Sequence, residues 1–240
     1  MQAMGRRAAL QGLAGLGLGG LALSAGAGVA SATTPVAPAV TQPATGVPTA
    51  AEALDLLVAG NRRWQEIHPE HPHEGAEIRR ALVASQHPFA TILSCVDSRV
   101  PPELVFDQGL GDLFTVRTAG EVLDEAVLGS VAFGAGELGI PLVLVLGHSS
   151  CGAVGAALDA VDAGEEAPGH LAYLVEAIAP SVPPQGPDRA TRIAAAVDAN
   201  VRAVVDTLRH DEDLAEAVSH GDLTIVGARY DLDSGAVTLL

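Results

Sequence analysis

The chain contains no lysine: all 13 of its basic residues are arginine, set against 29 acidic ones. The resulting net charge of -16 would be repelled by phosphate backbones and anionic membrane surfaces, which argues against nucleic acid as a partner. Aromatic residues make up only 3% of the sequence, so a core drawn from its 48% hydrophobic content is built mainly of Ala, Val, Leu and Ile. No internal repeat is visible, and 240 residues suffice for one large domain or two small ones. Cysteine is scarce as well: Cys95 and Cys151 are the only two.

Charge is also absent from a long stretch near the amino terminus. After Arg6-Arg7 no charged residue occurs before Glu52. Residues 8–29 are mainly Ala, Leu and Gly, and Ala30-Ser31-Ala32 offers the small residues of a signal-peptidase site. Residues 1–32 therefore read as an export signal, and the arginine pair before a weakly hydrophobic, Gly-rich run resembles the twin-arginine type. An ordinary secretory signal or an uncleaved anchor are the alternatives, although the glycines make a stable membrane span the poorer one. The expected location is periplasmic or extracellular. The run Gly15–Gly20 matches G-x-G-x-x-G in form only, since no strand precedes it and no helix with a later acidic residue follows. Residues 33–48, with Pro35, Pro38, Pro43 and Pro48, read as an extended linker, which leaves 49–240 as the folded domain.

Within that domain, Thr49 with Glu52 is a capping-box signature, and 3.6-residue periodicity predicts a helix to about Ile67. Further helices are predicted at Ala76–Gln86, Glu125–Leu138 and Ala153–Ala163, with one long helix from Arg189 to Val218. Continuous apolar runs at Phe89–Ser94, Leu113–Val116, Leu142–Leu146 and Leu223–Val226 suggest strands buried on both faces. Asp233-Ser-Gly235 reads as a turn into a last strand at Val237–Leu240. The pattern predicts an α/β fold: a mainly parallel central sheet flanked by helices, with an antiparallel edge strand at the carboxyl terminus.

Two of these strands end in chemistry. One runs into Ser94-Cys95-Val96-Asp97-Ser98-Arg99, the other into Gly147-His148-Ser149-Ser150-Cys151-Gly152. Sites in open parallel sheets form beyond the carboxyl ends of strands, so neighbouring placement of these two would bring Cys95, His148 and Cys151 together. Two thiolates and an imidazole are zinc ligands, and three protein ligands with one open position is the catalytic arrangement. Asp97 and Arg99, two residues apart on an extended segment, point the same way. The guanidinium can then clamp the carboxylate and keep it ionised; alternatively, Asp97 could take the fourth zinc position and close the site. Other readings stay open at this level. Cys95 and Cys151 could form a disulfide in an oxidising compartment, or Cys151 could be a nucleophile with His148 as its base.

The segments Ser94-Cys-Val-Asp-Ser-Arg-Val-Pro101 and Gly147-His-Ser-Ser-Cys-Gly152 resemble the β-class carbonic anhydrases. So do Gly60-Asn-Arg-Arg63, Gln86-His-Pro-Phe89, Phe106-Asp-Gln-Gly109, Gly111-Asp-Leu-Phe114 and Gly227-Ala-Arg-Tyr-Asp231, which extends the likeness from about Thr49 to Leu240. The resemblance implies one zinc ion per chain on Cys95, His148 and Cys151, and Asp97 with Arg99 as a catalytic dyad. It implies a substrate hydrogen bond from Gln86 and an apolar CO2 pocket lined by Phe114, Ala119 and Phe133. Phe133 stands where plant members carry tyrosine. Ile92 replaces a tryptophan that forms a non-catalytic bicarbonate site in some bacterial members, so that form of inhibition is not expected. The family also implies a homodimer or higher homo-oligomer, pockets at the subunit interface, and N-terminal helices wrapped on the neighbour.

The expected reaction is reversible hydration of CO2 to bicarbonate and a proton, through attack by zinc-bound hydroxide. Hydrolysis of CS2 or COS is a rival within the same chemistry, and a non-catalytic zinc- or bicarbonate-binding protein is a rival outside it. His68, His71, His73 and His87 are proton-shuttle candidates by type alone. The first three could also hold a second metal, though a solvated loop is the simpler reading.

Overall fold

The computed structural model describes residues 47–240, so the expected export signal and most of the expected linker lie outside the described residues. Helix α1 (Ala50–Gln65) starts as its capping box requires. The Thr49 hydroxyl accepts the Glu52 amide at 3.3 Å, and the Glu52 carboxylate accepts the Thr49 amide at 2.8 Å. There follow α2 (Ala76–Ala81), β1 (Ala90–Cys95), α3 (Pro102–Val105), β2 (Leu113–Thr118) and α4 (Glu125–Gly136). The second half comprises β3 (Leu142–His148), α5 (Gly152–Ala163), α6 (Leu171–Ile178), α7 (Arg189–Arg209), α8 (Ala215–His220), β4 (Thr224–Tyr230) and β5 (Val237–Leu239). The five strands form one sheet in the order β2-β1-β3-β4-β5, parallel except for the antiparallel β4–β5 pair. This is the predicted architecture.

Every residue of β1 and β3 is buried, as their nearly all-apolar runs require. One face of the sheet, carrying Ile92, Leu144, Leu146 and Tyr230, packs with Leu57 of α1 and Phe106. The other, carrying Leu93, Val143 and Val145, packs with Val131 of α4 and with Val201, Val205 and Leu208 of α7. A third cluster gathers Val154 and Leu158 of α5, Ile178 of α6 and Val197 of α7 around the two cysteines.

Three expectations need correction. The long carboxyl-terminal helix is two, α7 and α8. The break falls at His210-Asp-Glu-Asp213, where the Asp211 carboxylate accepts the Asp213 amide at 3.0 Å and its carbonyl accepts the amides of Leu214 and Ala215. Such local bonding competes with helix continuation. Helix α2 stops at Ala81 rather than Gln86, having no buried residue to hold a longer element. Strand β4 runs on to Tyr230 because β5 pairs with its second half, including polar Arg229. On its inner face, α1 buries Ala53 and Leu57 fully in the chain's own core. At Gly60 the helix comes so close that an added Cβ would lie 1.7 Å from the Phe106 carbonyl oxygen.

Candidate metal centre

Strand β1 has β2 on one side and β3 on the other, so chain order reverses direction between β1 and β3. Ligands in open α/β sheets gather at such a point, beyond the carboxyl ends of the strands. There β1 ends in Cys95 and β3 in His148. Ser150 then takes a left-handed conformation, with φ of 55°, and the chain turns into α5 with Cys151 as its N-cap. That turn folds the H-x-x-C segment back, so the ligand atoms of Cys95, His148 and Cys151 all lie within 4.8 Å of one another, with all three residues buried.

The chemistry of these atoms fits zinc. Both cysteines are free, their sulfurs 4.0 Å apart. That is about twice the bond length of a disulfide, and close to the roughly 3.8 Å separating two sulfurs at ~2.3 Å from a tetrahedral ion. His148 Nδ1 lies 2.9 Å from the Ser149 carbonyl oxygen, which can only accept, so that nitrogen carries the proton. Nε2 is left as the lone-pair nitrogen, buried and without a hydrogen-bond partner. A second-side hydrogen bond of this kind is what fixes the tautomer of a metal-ligating histidine.

The site also prepares its sulfur. The Cys95 thiol is lowered to about 4, first by its hydrogen bond with the Cys151 sulfur, against burial, with His148 and the backbone at Gly120 and Asp97 assisting. The Gly120 amide donates to Cys95 Sγ at 3.4 Å. The Cys151 thiol is pushed up by the same shared bond and by burial.

Beside the cluster, Arg99 grips Asp97 through three bonds. Its amide and Nε each donate to Oδ1 at 2.9 Å, and Nη2 donates to Oδ2 at 2.7 Å. These hydrogen bonds hold the Asp97 carboxyl well below the usual range, so it is ionised. Its Oδ2 lies 3.8 Å from His148 Nε2.

The model of the carbonic anhydrase family matches residues 90–237, more than half of the chain. Carbonic anhydrase 2 of Mycobacterium tuberculosis is 44% identical over 188 residues, covering 78% of this chain and 91% of that protein. Among solved structures, the β-carbonic anhydrase CafA of Aspergillus fumigatus superposes with a TM-score of 0.64 at 25% identity, covering 78% of this chain and 90% of that one. The chain belongs to the β-class carbonic anhydrases. A tetrameric β-carbonic anhydrase of Sordaria macrospora shares the fold with a TM-score of 0.64 at 20% identity, over 79% of this chain and 97% of that one. The protein is thus a zinc-dependent enzyme of CO2 hydration, and the Cys95–His148–Cys151 cluster fits its zinc site.

Of the residues expected to bind substrate in this carbonic anhydrase, only Ala119 stands beside the chain's own metal cluster, in the turn directly after β2. Phe114 pairs with Thr91, whereas Cys95 pairs with Thr118. Four residues of strand therefore separate Phe114 from the metal end, about 13 Å. Phe133 stacks on Phe114 with ring centroids 6.3 Å apart and is 47% exposed. Gln86 is exposed just before the opposite end of β1. His68, His71, His73 and His87 also lie away from the cluster. His73 pairs with Asp112 at 2.8 Å before β2, His71 with Glu74 at 3.3 Å, and His87 with the Ser85 hydroxyl at 3.1 Å. The buried Asp107 pins this loop by accepting the amides of Glu70 and His71 and by pairing with Arg63. A cleft of about 810 Å3 between α5 and the start of α7 reaches Cys151 but is not lined by Asp97 or His148.

Sequence reasoning passed over three residues around the centre. Arg117, on β2, donates from Nε to the Cys95 carbonyl at 2.9 Å and from Nη2 to the Asp97 carbonyl at 2.6 Å, tying down the segment that carries Cys95 and Asp97. Glu121 is buried, and its Oε1 has no partner. Asn200 sits on the buried face of α7 among Ala196, Val197, Val201 and Val204. Each is a polar residue set among buried neighbours, and its role shows only once its partners in space are located.

Proposed function

We propose that Asp97 and Arg99 are the catalytic dyad of this CO2 hydratase, and that the enzyme works as an exported homodimer or larger homo-oligomer. The observation that carries the dyad is the three-bond clamp beside the unpartnered His148 Nε2. Zinc, held by Cys95, His148 and Cys151, supplies Lewis acidity that makes water nucleophilic near neutral pH. Two thiolates cancel most of the metal's charge, so surrounding groups must assist. Asp97, kept ionised by Arg99, accepts a hydrogen bond from the attacking water and turns its lone pair towards the carbon of CO2. Because both Asp97 oxygens are engaged by Arg99, the carboxylate is restrained from serving as a fourth ligand. Ala119 supplies apolar surface on the near side.

Gln86, Phe114 and Phe133 serve the site of a second subunit. Half-exposed Phe133 stacked on Phe114 is apolar surface suited to contact another chain, and Gln86 is free to donate to a substrate oxygen. Export through the twin-arginine route, which moves folded protein, would allow zinc loading before the thiols meet an oxidant. The support for export is the sequence of residues 1–32.

Asp97→Asn tests the dyad. The variant keeps its zinc and loses CO2 hydration by about 100-fold or more in stopped flow, within the range typical of a positioned proton acceptor. Full activity in the zinc-loaded variant would remove Asp97 from the mechanism. A zinc-loaded wild type that turns over CS2 or COS but not CO2 would reassign the substrate.

A further inference from the structure

Helix α7 contributes one polar side chain to the region behind the metal cluster. Asn200 is 3% exposed, and its Nδ2 donates to the Gly120 carbonyl at 2.8 Å. Gly120 begins the path back to the metal, because its own amide donates to Cys95 Sγ at 3.4 Å. The turn between these two bonds has little freedom. Gly120 has φ of 66°, a left-handed conformation, and an added Cβ would come within 2.6 Å of Ile178 and 3.2 Å of Ala153. Packing on α5 and α6 thus closes one side, and the Asn200 amide holds the other. The carbonyl and the N–H belong to the two peptide units on either side of the Gly120 Cα, so with φ of 66° and ψ of 29° held by this packing the direction of the N–H follows from that of the pinned carbonyl.

We infer that Asn200 is a positioning residue of the zinc centre, acting through the backbone of Gly120 to aim its amide N–H at the Cys95 sulfur. An N–H donated to a thiolate stabilises its charged form and holds the sulfur in place for the metal. The dependence runs one way along the chain of contacts: Asn200 touches neither zinc nor substrate, so its effect must appear in the properties of the Cys95–metal bond. This rests on Cys95 being a zinc ligand.

Asn61 provides the control. It too is 3% exposed, and its Nδ2 donates to the carbonyls of Val105 at 3.0 Å and Gly235 at 2.9 Å. These partners belong to the α1 platform. Replacing either asparagine by alanine leaves buried carbonyls without donors, so both variants should melt lower. Only one should alter the metal.

The test measures zinc release to a chromophoric chelator, and the thiolate-to-metal charge-transfer band of the cobalt-substituted protein, in wild type, Asn200→Ala and Asn61→Ala. Asn200→Ala should release zinc about 10–100-fold faster, the usual scale for loss of an outer partner of a metal ligand, and its cobalt band should shift. Asn61→Ala should match wild type in both. Zinc release and band both unchanged in Asn200→Ala, with only a lowered melting temperature, would overturn the proposal and leave Asn200 a structural residue. Should Asn200→Ala not fold, the wild type substituted with cadmium-113 still decides the decisive contact. Scalar coupling between the metal and the Gly120 amide proton is expected, and its absence would overturn the proposal. Zinc retained at full stoichiometry by Cys95→Ala would instead overturn the ligand assignment on which the proposal rests.

Discussion

Two regions of this enzyme bury polar side chains at similar depth and treat them in opposite ways. Beneath α1, Asn61 is saturated: it donates to two carbonyls, and its Oδ1 accepts the Val237 amide at 2.9 Å and the Gln65 side chain at 2.7 Å. At the carboxyl ends of β1, β2 and β3, the Ser94 hydroxyl, Glu121 Oε1 and His148 Nε2 have no hydrogen-bond partner. An unmade buried hydrogen bond costs about 1–3 kcal/mol. A fold tolerates that where something else completes the set, and for His148 the missing partner is the metal. The α1 platform contributes stability, and the sheet end gives some of it up for a ready binding site.

The first way to break the comparison is at the saturated end. Asn61→Ala strips partners from Val105, Gly235 and Val237 together. It should cost about 2–4 kcal/mol, lowering the melting temperature by roughly 5–15 °C at this chain length. CO2 hydration per folded, zinc-loaded molecule should remain that of wild type. A loss of turnover without loss of stability would show that the platform is wired to the site.

The smaller effect lies at the unsatisfied end and has the opposite sign. Burial raises the Glu121 carboxyl well above its usual range, with the Cys95 thiolate adding to the shift and Asn200 opposing it. A carboxyl whose folded pKa is raised destabilises the protein as pH climbs past its unfolded value of about 4.3, because only the unfolded chain can then ionise it freely. The penalty grows until pH reaches the raised folded value. Glu121→Gln removes that titration. It should melt a few degrees above wild type at neutral pH, about 2–4 °C per kcal/mol, with the gap closing as pH falls through 4. A variant less stable than wild type at neutral pH would mean that the carboxyl is ionised and paired in the folded protein.

The contrast also explains which features were legible in the sequence. Strands β1 and β3 announce themselves because burial on both faces leaves no charged residue to interrupt them, and α1 does so through Thr49 and Glu52. The second half of β4 does not, because Gly227 and Arg229 break the apolar run and its pairing with distant β5 decides its state. Nor does α6, eight mostly apolar residues after Pro168-Gly169 with no side-chain cap, whose helicity depends on packing over the metal cluster. Cys95, His148 and Cys151 were legible as a group because ligand chemistry constrains both residue type and spacing. Arg117 and Asn200 were not, since a single polar residue in an apolar element acquires a role only when its partner carbonyl is located. The positions of Gln86, Phe114 and Phe133, away from the chain's own cluster, follow from strand register, which no local pattern encodes.

The most direct test of the account is a zinc titration of the metal-stripped chain beginning at Thr33, with CO2 hydration followed by stopped flow and Cys95→Ala alongside. Hydration should be absent without metal, rise in proportion to added zinc, and level off at one zinc per chain, while Cys95→Ala neither holds the zinc nor gains activity. Hydration by the stripped protein, or a wild type that binds one zinc per chain and hydrates no CO2 from neutral to alkaline pH, would contradict it.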